Sequence, residues 1–263
     1  MKEFLYNAKK ERLLPDEKKG ALSKEVFLIK YKNKKYVLRE CKTKEKAIEY
    51  EKYLKFFEKA DFLPKFIYRD KNKLVLEFIS GRDCTKKDAE SVAEQIGEIA
   101  GRINNKKIKT SLNFNQKFNS TLNEIKNNNI VSDKEIDLIK KRYLTLLKKI
   151  RPLVGLDASD IVTANFRLSK GKVYLVDLGM LGENIIGRGL AKGFLKWFKT
   201  KKQRENFLKG YNKYFSSEFL TKDYLEFLYL YFLITNIKFK LNNKRSNKSN
   251  KERLTKLLED KLK

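Results

Sequence analysis

The chain has 263 residues, 61 Lys plus Arg against 33 Asp plus Glu, a formal net charge of +28, and 41% apolar residues. That apolar share can offset the entropy of ordering, so a disordered polycation is excluded. With no histidine and two cysteines, a Ser-His-Asp triad, a His-ligated zinc, a four-thiolate zinc and a disulfide framework are excluded as well.

In chain order, residues 24–40 alternate apolar and polar around Lys32-Asn33-Lys34, which predicts a β-hairpin. Ala47, Ile48, Tyr50, Leu54 and Phe57 predict a helix over 44–60, stopped by Leu63-Pro64. Residues 65–69 and 73–79 read as strands, and Ser80-Gly81 breaks the pattern. A helix over 86–104 follows, with Val92, Ile96, Ile99 and Ile103 on one stripe. Asn104 to Asn129 is polar and reads as loop with short helix. Ser132 and Glu135 form the capping box of a helix over 132–150. Residues 166–177 predict a second hairpin around Ser169-Lys170-Gly171-Lys172. Helices are expected over 189–199, 201–215, 221–240 and 250–262. The pattern divides the chain into a β-rich lobe, 1–79, and an α-rich lobe, 80–263, with a basic helical tail.

The chemistry concentrates in 157–179, DASDIVTANFRLSKGKVYLVDLG. Asp160 precedes Asn165 by five positions, and the hairpin would return Asp177 beside Asn165. Phosphoryl transfer needs a carboxylate to orient a hydroxyl and take its proton, and oxygen ligands to hold Mg²⁺ on the phosphates. Asp160, Asn165 and Asp177 supply that set. Asp157 is a rival base, but its fifth successor, Val162, cannot bind metal.

D-x-x-x-x-N followed by D-L-G resembles the catalytic and metal-binding loops of the protein-kinase-like superfamily. The closer resemblance is to its small-molecule branch, which includes aminoglycoside phosphotransferases, choline kinases and lipopolysaccharide-core sugar kinases. It implies a two-lobed α+β fold, a small antiparallel β lobe plus a larger helical lobe. It implies ATP and Mg²⁺ as cofactors, a base at Asp160 and metal ligands at Asn165 and Asp177. Gly20 and Ser23 fall where the branch keeps a phosphate-covering loop. Arg39, in Tyr36-Val37-Leu38-Arg39, takes the place of the phosphate-contacting lysine, with Glu51 as its ion-pair partner. The backbones of Glu77 and Ile79 would hydrogen-bond adenine. The chain departs from the branch at Ala158, Val162 and Arg39, where a His, a helper residue and a Lys are usual. These departures keep a nucleotide-binding pseudokinase as the alternative reading.

The expected activity is transfer of the γ-phosphoryl group of ATP to a hydroxyl of a small molecule or glycan. A surface at +28 repels a polycationic aminoglycoside and suits an anionic sugar, such as a lipopolysaccharide-core sugar. Charge alone also raises a third reading, binding of nucleic acid or another polyanion, without a recognition motif to support it. The longest apolar stretch, Tyr224 to Ile237, is too short to span a bilayer and reads as helical core, as does Trp197. A cytoplasmic protein is expected, with Leu254, Leu257, Leu258 and Leu262 as a stripe packed inward or laid on anionic lipid at the inner membrane face.

Overall fold

The computed structural model describes residues 9–12, 23–179 and 181–259. The chain divides into two compact units, one of residues 1–88 with 162–181 and one of residues 89–161 with 182–263. The hairpin that follows Asn165, assigned from sequence to the α-rich lobe, groups with the β-rich unit.

The first unit is built on a five-stranded antiparallel sheet in the order β1-β2-β3-β5-β4. Its strands are β1 (Lys9–Arg12), β2 (Ser23–Tyr31), β3 (Lys34–Cys41), β4 (Phe66–Asp70) and β5 (Lys73–Glu77). Lys32 and Asn33 both take positive φ, 46° and 59°. That pairing matches the strand twist and closes the β2–β3 hairpin in two residues. Ile29, Leu38 and Val75 form the apolar centre of the sheet. Helix α1 (Lys44–Phe56) is capped by the Thr43 side chain and buries Ala47, Tyr50 and Leu54. It ends four residues before the expected position, and Phe57, Phe62 and Leu63 turn inward instead. A three-stranded sheet, β6 (Arg82–Asp83), β8 (Phe166–Ser169) and β9 (Lys172–Leu175), completes the unit. Gly81 has φ of 110°, and a Cβ there would lie 2.2 Å from the Leu168 carbonyl oxygen, so the turn into β6 admits only glycine.

The second unit is helical. Its helices are α2 (Ala89–Asn104), α3 (Phe114–Asn127), α4 (Asp133–Leu147), α5 (Arg188–Lys196), α6 (Lys201–Tyr211), α7 (Lys222–Asn242) and α8 (Lys248–Leu258). The helix expected within the loop-like stretch 104–129 is α3, and it takes up more than half of it. Phe118, Leu122 and Ile125 lie at helical spacing among the asparagines and are fully buried. α7 is the central rod, buried almost all round from Tyr224 to Ile237, and Phe118 lies between Tyr143 and Tyr231. Trp197 is buried and stacked on Phe198. Leu254 and Leu257 are buried, so the stripe on α8 packs inward at those positions; Leu262 lies outside the described residues. Strands β7 (Val154–Ala158) and β10 (Leu181–Ile185) pair in a small sheet that the sequence reading did not anticipate. Among the described residues no helix is long and apolar enough to cross a membrane.

Candidate functional site

In the first unit, β3 carries Arg39 inward and the segment after β9 carries Asp177. The Arg39 guanidinium, 7% exposed, donates to Asp177 Oδ1 at 3.1 Å and lies over the Tyr50 ring, 4.9 Å from its centroid. Burial alone would push this guanidinium down. The Asp177 carboxylate outweighs that and holds it above the ordinary arginine value. Burial pushes the Tyr50 phenol up to about 12, so it stays neutral, and its oxygen accepts from the Leu178 amide at 3.0 Å.

Asp177 Oδ1 also accepts from its own loop, at the Gly179 amide, 2.8 Å away. Oδ2 of Asp177 takes no hydrogen bond from the described residues, and the side chain keeps 28% exposure. The Val176 amide donates to the Asn165 carbonyl at 2.9 Å, so the hairpin brings the backbone of Asn165 to that of Asp177's neighbour. A carboxylate oxygen without a protein donor, next to an amide-bearing residue, fits Mg²⁺, which takes few protein oxygens and completes its shell with water and phosphate. No cluster of three or more acidic or cysteine side chains suited to a metal occurs among the described residues.

Glu51 is not the partner of Arg39. It accepts from Arg69 of β4 and, at 2.7 Å, from Lys55 one turn along α1. The register explains the exchange: Arg39 pairs with Leu74 in the sheet and is drawn to Asp177, while Arg69, also opposite Leu74, takes the glutamate. Glu77 pairs with Tyr36 across β3 and β5, and its side chain accepts from the Lys65 amide at 3.2 Å; Ile79 is buried. Ser23 opens β2, and Gly20 lies outside the described residues.

In the second unit, Asp160 follows β7 and pairs with Lys192 of α5. Both side chains are largely buried, at 24% and 20% exposure. Burial, with Lys196 one turn away, pushes the Lys192 ammonium down to about 8. Sequence reasoning missed Lys192, because nothing local distinguishes it among 49 lysines. Asp157 is buried and accepts from Asn104 Nδ2, Ser159 Oγ and the amides of Gly187 and Gly189. Burial raises its pKa against the pull of those donors. It holds the start of α5 against β7, where a Cβ on Gly189 would lie 1.8 Å from the Ala158 carbonyl oxygen.

Neither a protein-family model nor a curated protein matches the sequence. Solved structures do match. The choline kinase LicA from Streptococcus pneumoniae superposes at TM-score 0.72 with 18% identity, over 97% of this chain and 95% of that one. A choline/ethanolamine kinase family protein from Mesorhizobium loti superposes at 0.69 with 14% identity, over 97% and 89%. The fold is that of the protein-kinase-like small-molecule kinases. The ADP-bound aminoglycoside phosphotransferase APH(2'')-Ib shares it at 0.63 with 15% identity, over 95% and 92%, and LicA has also been solved with AMP. Within this kinase-like fold, the small antiparallel lobe and the larger helical lobe expected from the sequence are both present.

Proposed function

We propose that the chain is an ATP- and Mg²⁺-dependent phosphotransferase that moves the γ-phosphoryl group to a hydroxyl of a small molecule or glycan. The observation that carries this reading is Asp177: anchored through Oδ1 by a buried arginine, with Oδ2 unspent, in a fold shared with small-molecule kinases. Asp160 orients the acceptor hydroxyl and takes its proton. Asn165 and Asp177 would hold Mg²⁺, which when bound neutralises charge on the phosphates. Arg39, fixed by Asp177 rather than by Glu51, keeps its permanent charge beside the nucleotide phosphates. The backbones of Glu77 and Ile79 contact adenine, and Gly20 and Ser23 belong to the phosphate-covering segment. An anionic sugar, such as one of a lipopolysaccharide core, suits a +28 chain better than a cationic acceptor.

A second reading, nucleotide binding without turnover, draws on the Lys192 ammonium that occupies Asp160. A thermal-shift series with ATP, GTP and Mg²⁺, followed by ATP-consumption assays over a panel of acceptors, separates the two. Mg-ATP at about 100 times its dissociation constant adds about 2.7 kcal/mol. A Mg²⁺-dependent shift with acceptor-stimulated turnover supports the enzyme; a shift without turnover favours the binding module. No shift with either nucleotide refutes both and leaves polyanion binding.

A further inference from the structure

Helix α5 is docked on the loop that carries Asp160, and glycines make the approach. The Gly189 backbone lies against the Ala158 carbonyl. One turn on, a Cβ at Gly193 would lie 3.0 Å from Ile161 Cγ2, so the residue after Asp160 packs where that side chain would stand. Contacts on either side of Asp160 thus set its carboxylate against Lys192, the neighbour of Gly193, and the two side chains form an ion pair. Six of the nine residues of α5 are buried. The three that are not, Arg188, Lys192 and Lys196, are all cations, spaced one turn apart. Arg188 is turned to the Thr235 hydroxyl of α7, at 3.2 Å. Of the two carboxylates in the loop, Asp157 is spent on Asn104, Ser159 and the amides of Gly187 and Gly189. Asp160 is the one that meets the stripe, and with Lys192 it keeps enough exposure, 24% and 20%, for a ligand to reach both.

An ammonium in contact with a carboxylate favours its charged form and weakens it as a proton acceptor. A lysine fixed on Asp160 therefore opposes the role proposed for that residue, unless the acceptor brings the ammonium another anion. The phosphates of a nucleotide have their own cation in Arg39 of the first unit, whereas Lys192 shares a unit with Asp160. We infer that Lys192 selects the acceptor: it exchanges Asp160 for a carboxylate or phosphate that the acceptor carries close to its reacting hydroxyl. This rests on the phosphotransferase reading and narrows its substrate class to hydroxy acids, sugar acids and sugar phosphates. The closeness follows from the contact, because the hydroxyl must reach Asp160 while the anion reaches the ammonium beside it. With the anion bound, Asp160 is released to take the hydroxyl proton, so only an acceptor of the right charge frees the base. A cationic acceptor such as choline would meet the like charges of the stripe and leave the pair closed.

The test is calorimetric titration and thermal shift of the full chain with gluconate, whose carboxylate neighbours a hydroxyl, and with gluconamide, its neutral counterpart. Choline, sulfate and Mg-ATP are measured alongside. Gluconate should bind about ten- to a hundredfold more tightly than gluconamide and raise Tm, and choline should not bind. Lys192→Met should reduce gluconate to the level of gluconamide, and Lys192→Arg, which keeps the charge, should recover most of the difference. The ligand-free Tm reports whether each variant folds, and the comparison of the two ligands on the wild type stands even if one does not. Gluconate bound no better than gluconamide, or a preference that survives Lys192→Met, overturns the inference. Sulfate as tight as gluconate reduces Lys192 to a free-anion contact and overturns it too. A loss of Mg-ATP binding in folded Lys192→Met assigns the ammonium to the nucleotide and likewise overturns it. A gluconate preference that depends on Lys192, without Mg-ATP binding, upholds the selection and refutes the phosphotransferase; Mg-ATP binding with no gluconate preference does the reverse.

Discussion

Arg39 and Asp177 stand 138 positions apart in the chain, and their side chains meet at 3.1 Å. Under the proposed function each residue carries a structural and a functional contribution, and the two separate by mutation. Asp177→Ala leaves a buried guanidinium without its counter-ion, at a cost of about 2–3 kcal/mol, below the full figure for a buried pair because Asp177 is partly exposed. Adding Arg39→Met should recover most of that loss in denaturant unfolding while Mg-ATP binding stays absent. Recovery of nucleotide binding in the double variant would remove Asp177 from the metal site.

Asp160 and Asp157 are three residues apart and should respond oppositely. Asp160→Asn keeps the fold and lowers turnover by about 10²–10⁴-fold. Asp157→Ala strands the Gly187 and Gly189 amides and takes one of two acceptors from Asn104 Nδ2, and should cost about 3 kcal/mol or more in stability. Unfolding curves and turnover per folded molecule check both. Undiminished turnover in Asp160→Asn would return Asp157 to consideration as the base.

The low pKa of Lys192 fixes the sign of a pH effect. Below about pH 8 the amine is charged and attracts an anionic acceptor; above it the charge is lost. KM for the acceptor should therefore rise above pH 8, with KM for Mg-ATP flat, and Lys192→Met should abolish the difference. Lys196 on the same helix and Asp160 opposite are the other charges on this amine. Its folded pKa lies below the unfolded value of 10.5, so the unfolded chain binds more protons between the two, and this group makes stability rise with pH across that window. An acceptor KM that falls from pH 7 to 9 would contradict the assignment.

Helices α2 and α6 touch backbone to backbone. A Cβ on Gly210 would lie 1.9 Å from the Glu94 carbonyl oxygen, and one on Gly97 would lie 2.0 Å from that of Phe207. Gly210→Ala should destabilise the protein by about 1–3 kcal/mol despite its better helix propensity. Thermal unfolding measures this, and a stabilised variant would show that the helices part freely.

Much of this was legible where information is local. The Lys32-Asn33 hairpin, the Ser132 capping box and the apolar stripe of α2 each carry their signal within a few residues. The proximity of Asn165 and Asp177 followed from a hairpin of visible length. The length of helix α3 was hidden by composition: asparagine lowered the helix signal, so only a short helix within a loop was read, although Phe118, Leu122 and Ile125 kept the spacing. Strands β7 and β10 are short and pair with each other, so neither is marked by its own pattern. The exchange of partners among Arg39, Glu51, Arg69 and Asp177 was decided by sheet register, which residue types do not encode. Lys192 meets Asp160 from 32 positions away, a relationship that sequence spacing alone does not mark.

The amides from Leu175 to Gly179 have one more consequence. Leu175 donates to the Phe62 carbonyl, Val176 to that of Asn165, Leu178 to the Tyr50 hydroxyl and Gly179 to Asp177 itself. Four of five amides in this stretch are thus committed to partners spread over more than a hundred residues of chain. A flip of the segment would break those bonds together, at about 0.5–1.5 kcal/mol each. Such a loop makes a poor on-off switch. Its amides should exchange with deuterium slowly even without nucleotide, so the segment holds one geometry before and after any ligand arrives.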